Sequence, residues 1–494
     1  MRNRARIASI TLTLLLAGGV LGFAENGFLD LVSPVFLGGG AGTATLETPM
    51  GTLLNPAISA GRERTTLDLS YIALTQVSPS VSLGGNVVNL GLSLPTRAGV
   101  LSAIGRFTNT SFNPAVDGLQ WGPLGALSVS FSKDLFPDLY VGAGVNGEFG
   151  KDWGLGLDLG FLSFVGDVGF MKDFRWGGAL RGIGKPYPDP DTTHSLGNPP
   201  AFTPAVGASF GVVKTNDLAL SFSPDLSFPS FQDVRFVLGM TFSVKDILFL
   251  NAAFTEDARD ALGIEPSRSL PLSLGISVKL SGIGAKAGGQ DVTELNTSAA
   301  AAPLEGKVWA FGLGANVPIG VRDVTPPKIT IDTEGTKYIS PNFDGVKDDL
   351  TLPLDITDER YVKGYKFIIT DSSGSAVRTI LNKEDRPENV EFKNILARLA
   401  YLKTGIVIPP TIRWDGMSDS GSVVPDGTYH YHIEAWDDNN NLGKSPEGTV
   451  VVDTTPPSVS AAAAYLIFSP DSDGNKDTLP VRQSGSVEDQ WTGT

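Results

Sequence analysis

The nine residues from Trp153 to Phe161 read W-G-L-G-L-D-L-G-F. In an extended chain successive Cβ atoms point to opposite faces, so Trp153, Leu155, Leu157, Leu159 and Phe161 share one face. Gly154, Gly156, Asp158 and Gly160 share the other. A water-soluble sandwich buries its large face against a second sheet and rarely leaves the opposite face so bare of side chains. A membrane barrel wants this division, with bulky apolar groups toward lipid and small or polar groups toward a crowded or wet lumen. The same division recurs from Thr66 to Ile319 and predicts an all-β fold whose first domain is a transmembrane antiparallel β-barrel.

Thirteen segments of the barrel region alternate clearly, from Leu67-Leu69-Tyr71 to Trp309-Phe311-Leu313. Single-chain bacterial barrels have an even strand count, so about fourteen strands are expected, with one hidden between Ser281 and Val308. Asn296 to Pro303 reads as a low-complexity stretch that is assigned to no element. An even count puts both ends of the barrel on one side, the periplasm, so whatever follows Ile319 is expected there. Tyr71, Trp121, Phe131, Tyr140, Trp153, Trp176 and Trp309 are candidates for interfacial aromatic girdles. Pro186 to Pro204 and Thr255 to Arg268 read as exposed loops.

Several function classes are excluded. The chain has no cysteine, hence no disulfide, thiolate metal site or thiol nucleophile. A net charge of −15 argues against a nucleic-acid partner. No nucleophile elbow, phosphate-binding loop or H-E-x-x-H motif occurs, and no enzyme or resident cofactor is expected. Arg2, Arg4 and Arg6, a short apolar core and the small residues around Phe23 read as a secretory signal peptide over residues 1–24.

Residues 25–60 form a lead-in. Phe36 to Gly40 reads F-L-G-G-G and Leu53 to Ala57 reads L-L-N-P-A, just before the first strand. Gly38, Gly39, Gly40, Asn55, Pro56 and Ala57 in this position resemble the start of fatty-acid-transporter-type outer-membrane barrels. They equally resemble related uncharacterised barrels of spirochaetes and secretion-associated barrels of gliding bacteria. The resemblance implies that the segment tucks into the barrel mouth as a plug or gate.

After the barrel (residues 61–322) the composition shifts at Thr325-Pro326-Pro327 to lysines, aspartates and ordinary polar turns. I-R-W-D-G-x-x-x-x-G-x-x-V-P-D-G-T-Y-x-Y, carried by Trp414, Asp415, Gly416, Pro425, Asp426, Gly427 and Tyr429, resembles the Ig-like domain of the flagellar hook-capping protein. The resemblance covers residues 323–453 and implies a small β-sandwich for spacing or protein contact. An insert from Glu388 to Lys403 carries Ile395, Leu396, Leu399 and Leu402 at the spacing of an amphipathic helix, expected to lie on the sandwich sheet. Thr455-Pro456-Pro457 and S-P-D-S-D-G-N-K-D at Ser469 then restart the pattern, so residues 454–494 read as an incomplete second repeat, poorly packed or continued by further chain.

Asp344, Asp348 and Asp349, and again Asp471, Asp473 and Asp477, have the spacing of oxygen-rich Ca²⁺ loops. The competing reading is a cluster of Asx turns. His430 and His432 share a strand face with no third ligand in view. Two functions remain open. One is a barrel passing small hydrophobic molecules across the outer membrane, gated by the lead-in. The other is a non-conducting barrel, held in outer-membrane lipid, that presents its Ig-like module to a protein partner in the envelope.

Overall fold

In the computed structural model, residues 31–486 are described except 46–47, 77–83, 111–121, 137, 151, 188–201, 232, 259–270, 282–285, 288–289, 292–293, 305–307, 321–322 and 385–391. The signal peptide, Trp121, His194 and most of the Pro186 to Pro204 loop lie outside the described residues. The chain divides into two compact units. The first holds residues 1–323 together with 386–403, and the second holds residues 324–385 and 404–494.

The first unit is a closed fourteen-stranded antiparallel barrel. Its strands are β1 (Thr65–Gln76), β2 (Gly84–Pro95), β3 (Val100–Thr110), β4 (Gly122–Phe136), β5 (Leu139–Phe149), β6 (Trp153–Val168) and β7 (Met171–Lys185). There follow β8 (Thr203–Lys214), β9 (Leu218–Ser227), β10 (Arg235–Val244), β11 (Leu248–Asp257), β12 (Leu272–Ser281), β13 (Glu294–Pro303) and β14 (Val308–Ile319). The first and last strands pair from Thr65 opposite Ile319 to Gln76 opposite Val308, which closes the cylinder and leaves no sheet edge. Thr65 and Ile319 lie at one rim together with the short connections after β2, β4, β6, β8 and β10; we call this the near rim. The connections after the odd-numbered strands lie at the far rim.

The fourteenth strand is β13, and it lies within the interval from Ser281 to Val308 where a hidden strand was expected. It includes the low-complexity N-T-S-A-A-A-A-P run, which pairs with β12 and β14. Alanines on both faces erase the large-small alternation, so the run has no strand signature of its own. Its pairing partners supply one: Ala299 and Ala301 stand opposite Leu313 and Phe311.

The outer wall is apolar. Leu69, Leu90, Leu127, Trp153, Leu274 and Leu313, on six different strands, are each about half exposed or more. A soluble domain does not display a continuous belt of this kind, whereas lipid is its natural solvent. Strands of 10 to 16 residues are long enough to cross the hydrocarbon layer at a tilt. Among the girdle candidates Tyr71, Phe131, Trp153 and Trp176 face outward and are exposed. Tyr140 does not belong with them. It stacks edge-on against Phe164 at 4.7 Å and packs with Ala44, Ala57 and Leu162 inside the barrel.

The second unit contains a two-sheet β-sandwich. One sheet has β15 (Lys328–Ile331), β17 (Leu350–Thr357) and β20 (Thr411–Trp414), in the order β15-β17-β20. The other has β16 (Thr336–Ile339), β18 (Val362–Thr370), β19 (Ala376–Lys383), β21 (Gly427–Asp437), β22 (Leu442–Lys444) and β23 (Gly448–Val452). Strict alternation along L-T-L-P-L-D-I-T puts Leu350, Leu352, Leu354 and Ile356 inward, against Phe367, Trp414, Tyr431 and Val450. Beyond Val452 a two-stranded ladder joins β24 (Val459–Ala463) to β25 (Val481–Gly485), and none of the described residues from 453 to 486 is buried. Two strands alone cannot bury a face.

The insert departs from expectation in one respect. Phe392–Ala400 is a helix, but residues 386–403 belong to the barrel unit and not to the sandwich.

Candidate functional site: a plugged lumen

Residues 31–61 run inside the barrel. Ser33 caps a single helical turn, α1 (Pro34–Leu37), by accepting from the Phe36 amide at 3.4 Å. Two 3₁₀ turns follow, Pro49–Leu53 and Pro56–Gly61. Prolines at the start of each turn pre-set φ where no intrahelical amide is lost. Val32, Met50, Asn55 and Ala57 are fully buried.

The inner wall is built to receive this backbone. A Cβ added to Gly38 would sit 2.7 Å from the Cα of Gly275 on β12. One added to Gly142 on β5 would meet the carbonyl carbon of Pro56 at 2.4 Å, and one on Gly160 of β6 would meet Asn55 Oδ1 at 2.1 Å. At Gly142 and Gly160 the inner wall is bare where plug atoms occupy the space a side chain would take, whereas Gly154 and Gly156 of the Trp153 strand make room for Tyr187 and Gly182 of the barrel itself.

Hydrogen bonds then fix the register of plug against wall. The Asn55 amide nitrogen donates to Thr43 O at 2.9 Å and to Phe161 O on β6 at 2.8 Å, while its Oδ1 accepts from the Ala57 amide at 3.0 Å. One side chain thus caps its own 3₁₀ turn, ties together the two arms of the plug and bonds to the barrel. Asp225 on β9 accepts the Thr43 amide with both oxygens at 3.0 Å. Arg175 Nε donates to Ala44 O at 2.7 Å, Ser70 Oγ to Val32 O at 2.8 Å and Asn89 Nδ2 to Leu31 O at 3.1 Å. The hydroxyls of Ser59 and Ser132 meet at 2.9 Å.

The plug does not fill the lumen completely. A cavity of about 310 Å³ is bounded by Ser33, Arg64, Asp68, Glu294, Asn296 and Asn316 among others, with Arg64 and Glu294 ion-paired at 2.9 Å. A second, of about 80 Å³, is bounded by Leu37, Thr43, Arg181, Asp225, Arg235 and Leu304 among others. Plug residues line both cavities. Elsewhere in the lumen, Arg106 Nε donates to Asn89 Oδ1 at 2.7 Å, and Asp158 accepts from the Gly182 amide at 2.8 Å. Asp158 is thus a lining group that holds the bulge at Gly182 on β7.

Of the motif residues, the structure brings Gly38, Gly39, Gly40, Asn55, Pro56 and Ala57 together with the inner wall. The wall residues that bond to the rest of the plug, Asp225 to Thr43, Arg175 to Ala44, Ser70 to Val32 and Asn89 to Leu31, escaped the sequence reading. The one signal they carried was a polar or charged residue at an inward strand position.

The Ca²⁺ candidates use their carboxylates on their own backbone. Asp348 accepts from the amides of Phe343 and Gly345, both at 2.7 Å, and Asp344 from Val346 at 2.8 Å. Asp477 repeats this with Ser472 and Gly474, at 2.9 and 2.8 Å, and Asp473 accepts from Asn475 at 2.7 Å. Oxygens of Asp471, Asp473 and Asp477 lie within 4.8 Å of one another, but the turn itself accounts for that proximity. Asp349 instead accepts from Thr351 Oγ1 at 2.7 Å. His430 faces Glu447 at 3.6 Å and His432 faces Glu434 at 3.8 Å, each with its own carboxylate.

The hallmark residues of the sandwich have structural roles. Trp414 is fully buried, donates Nε1–H to Met417 O at 2.9 Å and packs edge-on against Tyr429 at 5.7 Å. Asp415 accepts the Met417 amide at 3.1 Å, and Gly416, at φ +70°, makes the tight turn between them. The Tyr429 hydroxyl donates to Pro425 O at 2.8 Å, closing a tyrosine corner. Asp426 accepts from the Thr454 amide and hydroxyl and from the Thr455 hydroxyl at 2.7 to 2.9 Å. These bonds, that from the Thr454 side chain first, hold its carboxyl below the usual range. Gly427 opens β21, directly after this clamp.

No protein-family model and no curated protein matches the chain. Solved structures do. The toluene transporter TbuX of Ralstonia pickettii is 13% identical with a TM-score of 0.38, covering 62% of this chain and 99% of its own. A Pseudomonas aeruginosa FadL homologue is 11% identical with a TM-score of 0.38, covering 59% and 98%. The monoaromatic hydrocarbon channel TodX, as a deltaS2 mutant, is 10% identical with a TM-score of 0.39, covering 59% and 97%.

Proposed function

We propose that this chain is an outer-membrane β-barrel that passes small hydrophobic molecules through a lumen gated by its own N-terminal segment. The observation that carries this reading is that the lumen is closed by a separable stretch of chain. A barrel needed only as an anchor can be built from eight strands, whose own side chains fill the interior. Fourteen strands leave a lumen, and here residues 31–61 close it through hydrogen bonds and main-chain contact with glycines. Cavities remain beside the plug, so the closed state already holds part of a path. The side chains that meet the 80 Å³ cavity include Phe36, Leu37, Leu54, Val237 and Leu304 beside the charged Arg181, Asp225 and Arg235, so it offers an apolar side and a polar one. The near rim would then face the periplasm, with the Ig-like module on that side. The Asx-turn loops would have no need of Ca²⁺.

A second reading, a non-conducting anchor for a partner-binding module, draws support from residues 386–403. This segment interrupts the sandwich sequence and packs with the barrel. Locking the plug separates the two. Ser59 and Ser132 meet side chain to side chain, and the protein contains no other cysteine to interfere. The double variant Ser59→Cys/Ser132→Cys in liposomes is expected to take up toluene-sized aromatics when reduced and to stop when oxidised. Uptake that is absent from wild type and from both redox states would overturn the passage reading in favour of the anchor.

A further inference from the structure

We propose that the insert helix α2 (Phe392–Ala400) is an in-plane lipid-binding element, lying on the outer barrel wall at the near rim with its leucines in the membrane. The inference rests on the reading of the barrel as lipid-embedded and adds a second kind of membrane contact to it.

Strand β4 locates the helix. Leu127, Val129 and Phe131 point outward and are 39 to 52% exposed, whereas Ser132 points inward to the plug residue Ser59. Lys133 is next in the outward series, yet it is only 3% exposed. Its ammonium donates to Leu399 O at 3.0 Å and to Tyr401 O, carbonyls at and just beyond the C-terminal end of α2. Arg398 is 4% exposed, with its guanidinium 5.0 Å from the ring centre of Phe136. Lys403 pairs with Asp134 at 3.0 Å and donates its amide to Arg97 O, in the β2–β3 turn, at 2.9 Å.

The helix is therefore turned against the ordinary rule. Arg398 faces the protein, and Leu396, Leu399 and Leu402 point away from it, 54, 42 and 53% exposed. On a soluble surface this orientation would waste the apolar face. The helix is anchored at Lys133, the next outward position of β4 after Phe131, so its apolar face continues the lipid-facing side of that strand. Acyl chains at the headgroup boundary are the occupant that continuity with the barrel belt selects, and amphipathic helices take up this position generally.

The absence of native cysteine makes the test direct. Single variants Leu396→Cys, Leu399→Cys and Leu402→Cys of the full chain, with Leu313→Cys on the barrel belt and Ser420→Cys on the sandwich, are labelled with an environment-sensitive fluorophore. They are then reconstituted in phosphatidylcholine vesicles. All five positions are exposed, so folding should be kept. The three helix labels are expected to be quenched at least half as strongly as the Leu313 label by spin-labelled acyl chains. They should also be shielded severalfold from aqueous iodide relative to the Ser420 label. Helix labels that behave like Ser420 while Leu313 is quenched by lipid would overturn the helix proposal alone. A Leu313 label open to iodide and untouched by lipid quencher would overturn the barrel reading and this inference together.

Discussion

Asn55 offers the most direct way to loosen the plug without touching the barrel ladder. Its side chain is fully buried and serves three backbone groups, Thr43 O, Phe161 O and the Ala57 amide. Asn55→Ala leaves all three without that partner. A buried backbone group deprived of its hydrogen bond costs about 1–3 kcal/mol, less where water can enter, so roughly 3–6 kcal/mol of plug attachment should be lost. At about 1.4 kcal/mol per factor of ten, the undocked population should rise by roughly 10² to 10⁴. The barrel strands keep their own bonds, so the variant should still migrate as a folded, heat-modifiable barrel. In planar bilayers wild type should be almost silent, and Asn55→Ala should show frequent openings. Proteolysis of residues 31–61 should accelerate in parallel. Gly160→Ala approaches the same contact from the wall side, since its new Cβ would fall 2.1 Å from Asn55 Oδ1, and it should give the same phenotype. Unchanged conductance together with unchanged protection of the segment in both variants would refute the idea that this contact holds the gate.

Lys133→Ala removes the donor to the last carbonyls of α2, so limited proteolysis within residues 386–403 should quicken while barrel heat-modifiability is unchanged. Tyr429→Phe deletes the hydroxyl that serves Pro425 O and should destabilise the sandwich by about 1–1.5 kcal/mol in denaturant unfolding of the full chain. The Asp426 carboxyl is held below its unfolded value by Thr454, so its stabilising contribution is complete above the unfolded pKa of about 4. That contribution is lost as pH falls through the lower folded value, and Asp426→Asn should flatten this part of the acid-unfolding curve. An acid limb of equal steepness in Asp426→Asn would mean that the Thr454 clamp contributes nothing.

How much of this was legible depends on what each residue had to say locally. Strand alternation between Leu67 and Val317 is a direct imprint of lipid on one side and plug on the other, and it located thirteen of the strands. β13 was hidden because alanine is acceptable on either face, so its strand identity comes only from the neighbours Leu274, Ile276, Leu313 and Phe311. The lead-in could be placed near the barrel mouth by its glycines and N-P-A. Its anchors were not legible, because Asp225 and Arg175 are 182 and 131 residues from their partners Thr43 and Ala44. Pairings of that span follow from barrel closure and leave no periodic trace. The insert helix was visible as an amphipathic pattern, but a pattern of apolar spacing does not say which solvent the apolar face meets. The natural default, leucines against a sheet, was reversed by Lys133 and Arg398, whose polar contacts put the leucines outside.

The glycines of the inner wall connect these levels. A wide barrel whose interior were simply wet would tolerate serine, threonine or asparagine at positions 142, 160 and 275, since each adds hydrogen-bonding capacity at little steric cost. With the plug seated, every one of those residues would place a Cβ within 3.1 Å of plug atoms. The glycines at 142, 160 and 275 are therefore a record of the closed state, and in the Trp153 strand it is Gly160 that carries it. The prolines at 34, 49 and 56 stiffen the inserted segment, so docking it costs less chain entropy than ordering a flexible loop would. A stiff insert held both by hydrogen bonds such as those of Asn55 and by the packing of Leu31 and Leu37 against Ile72, Leu74 and Val87 has to give up both kinds of contact to leave as one body, and that combined cost is what keeps the gate closed.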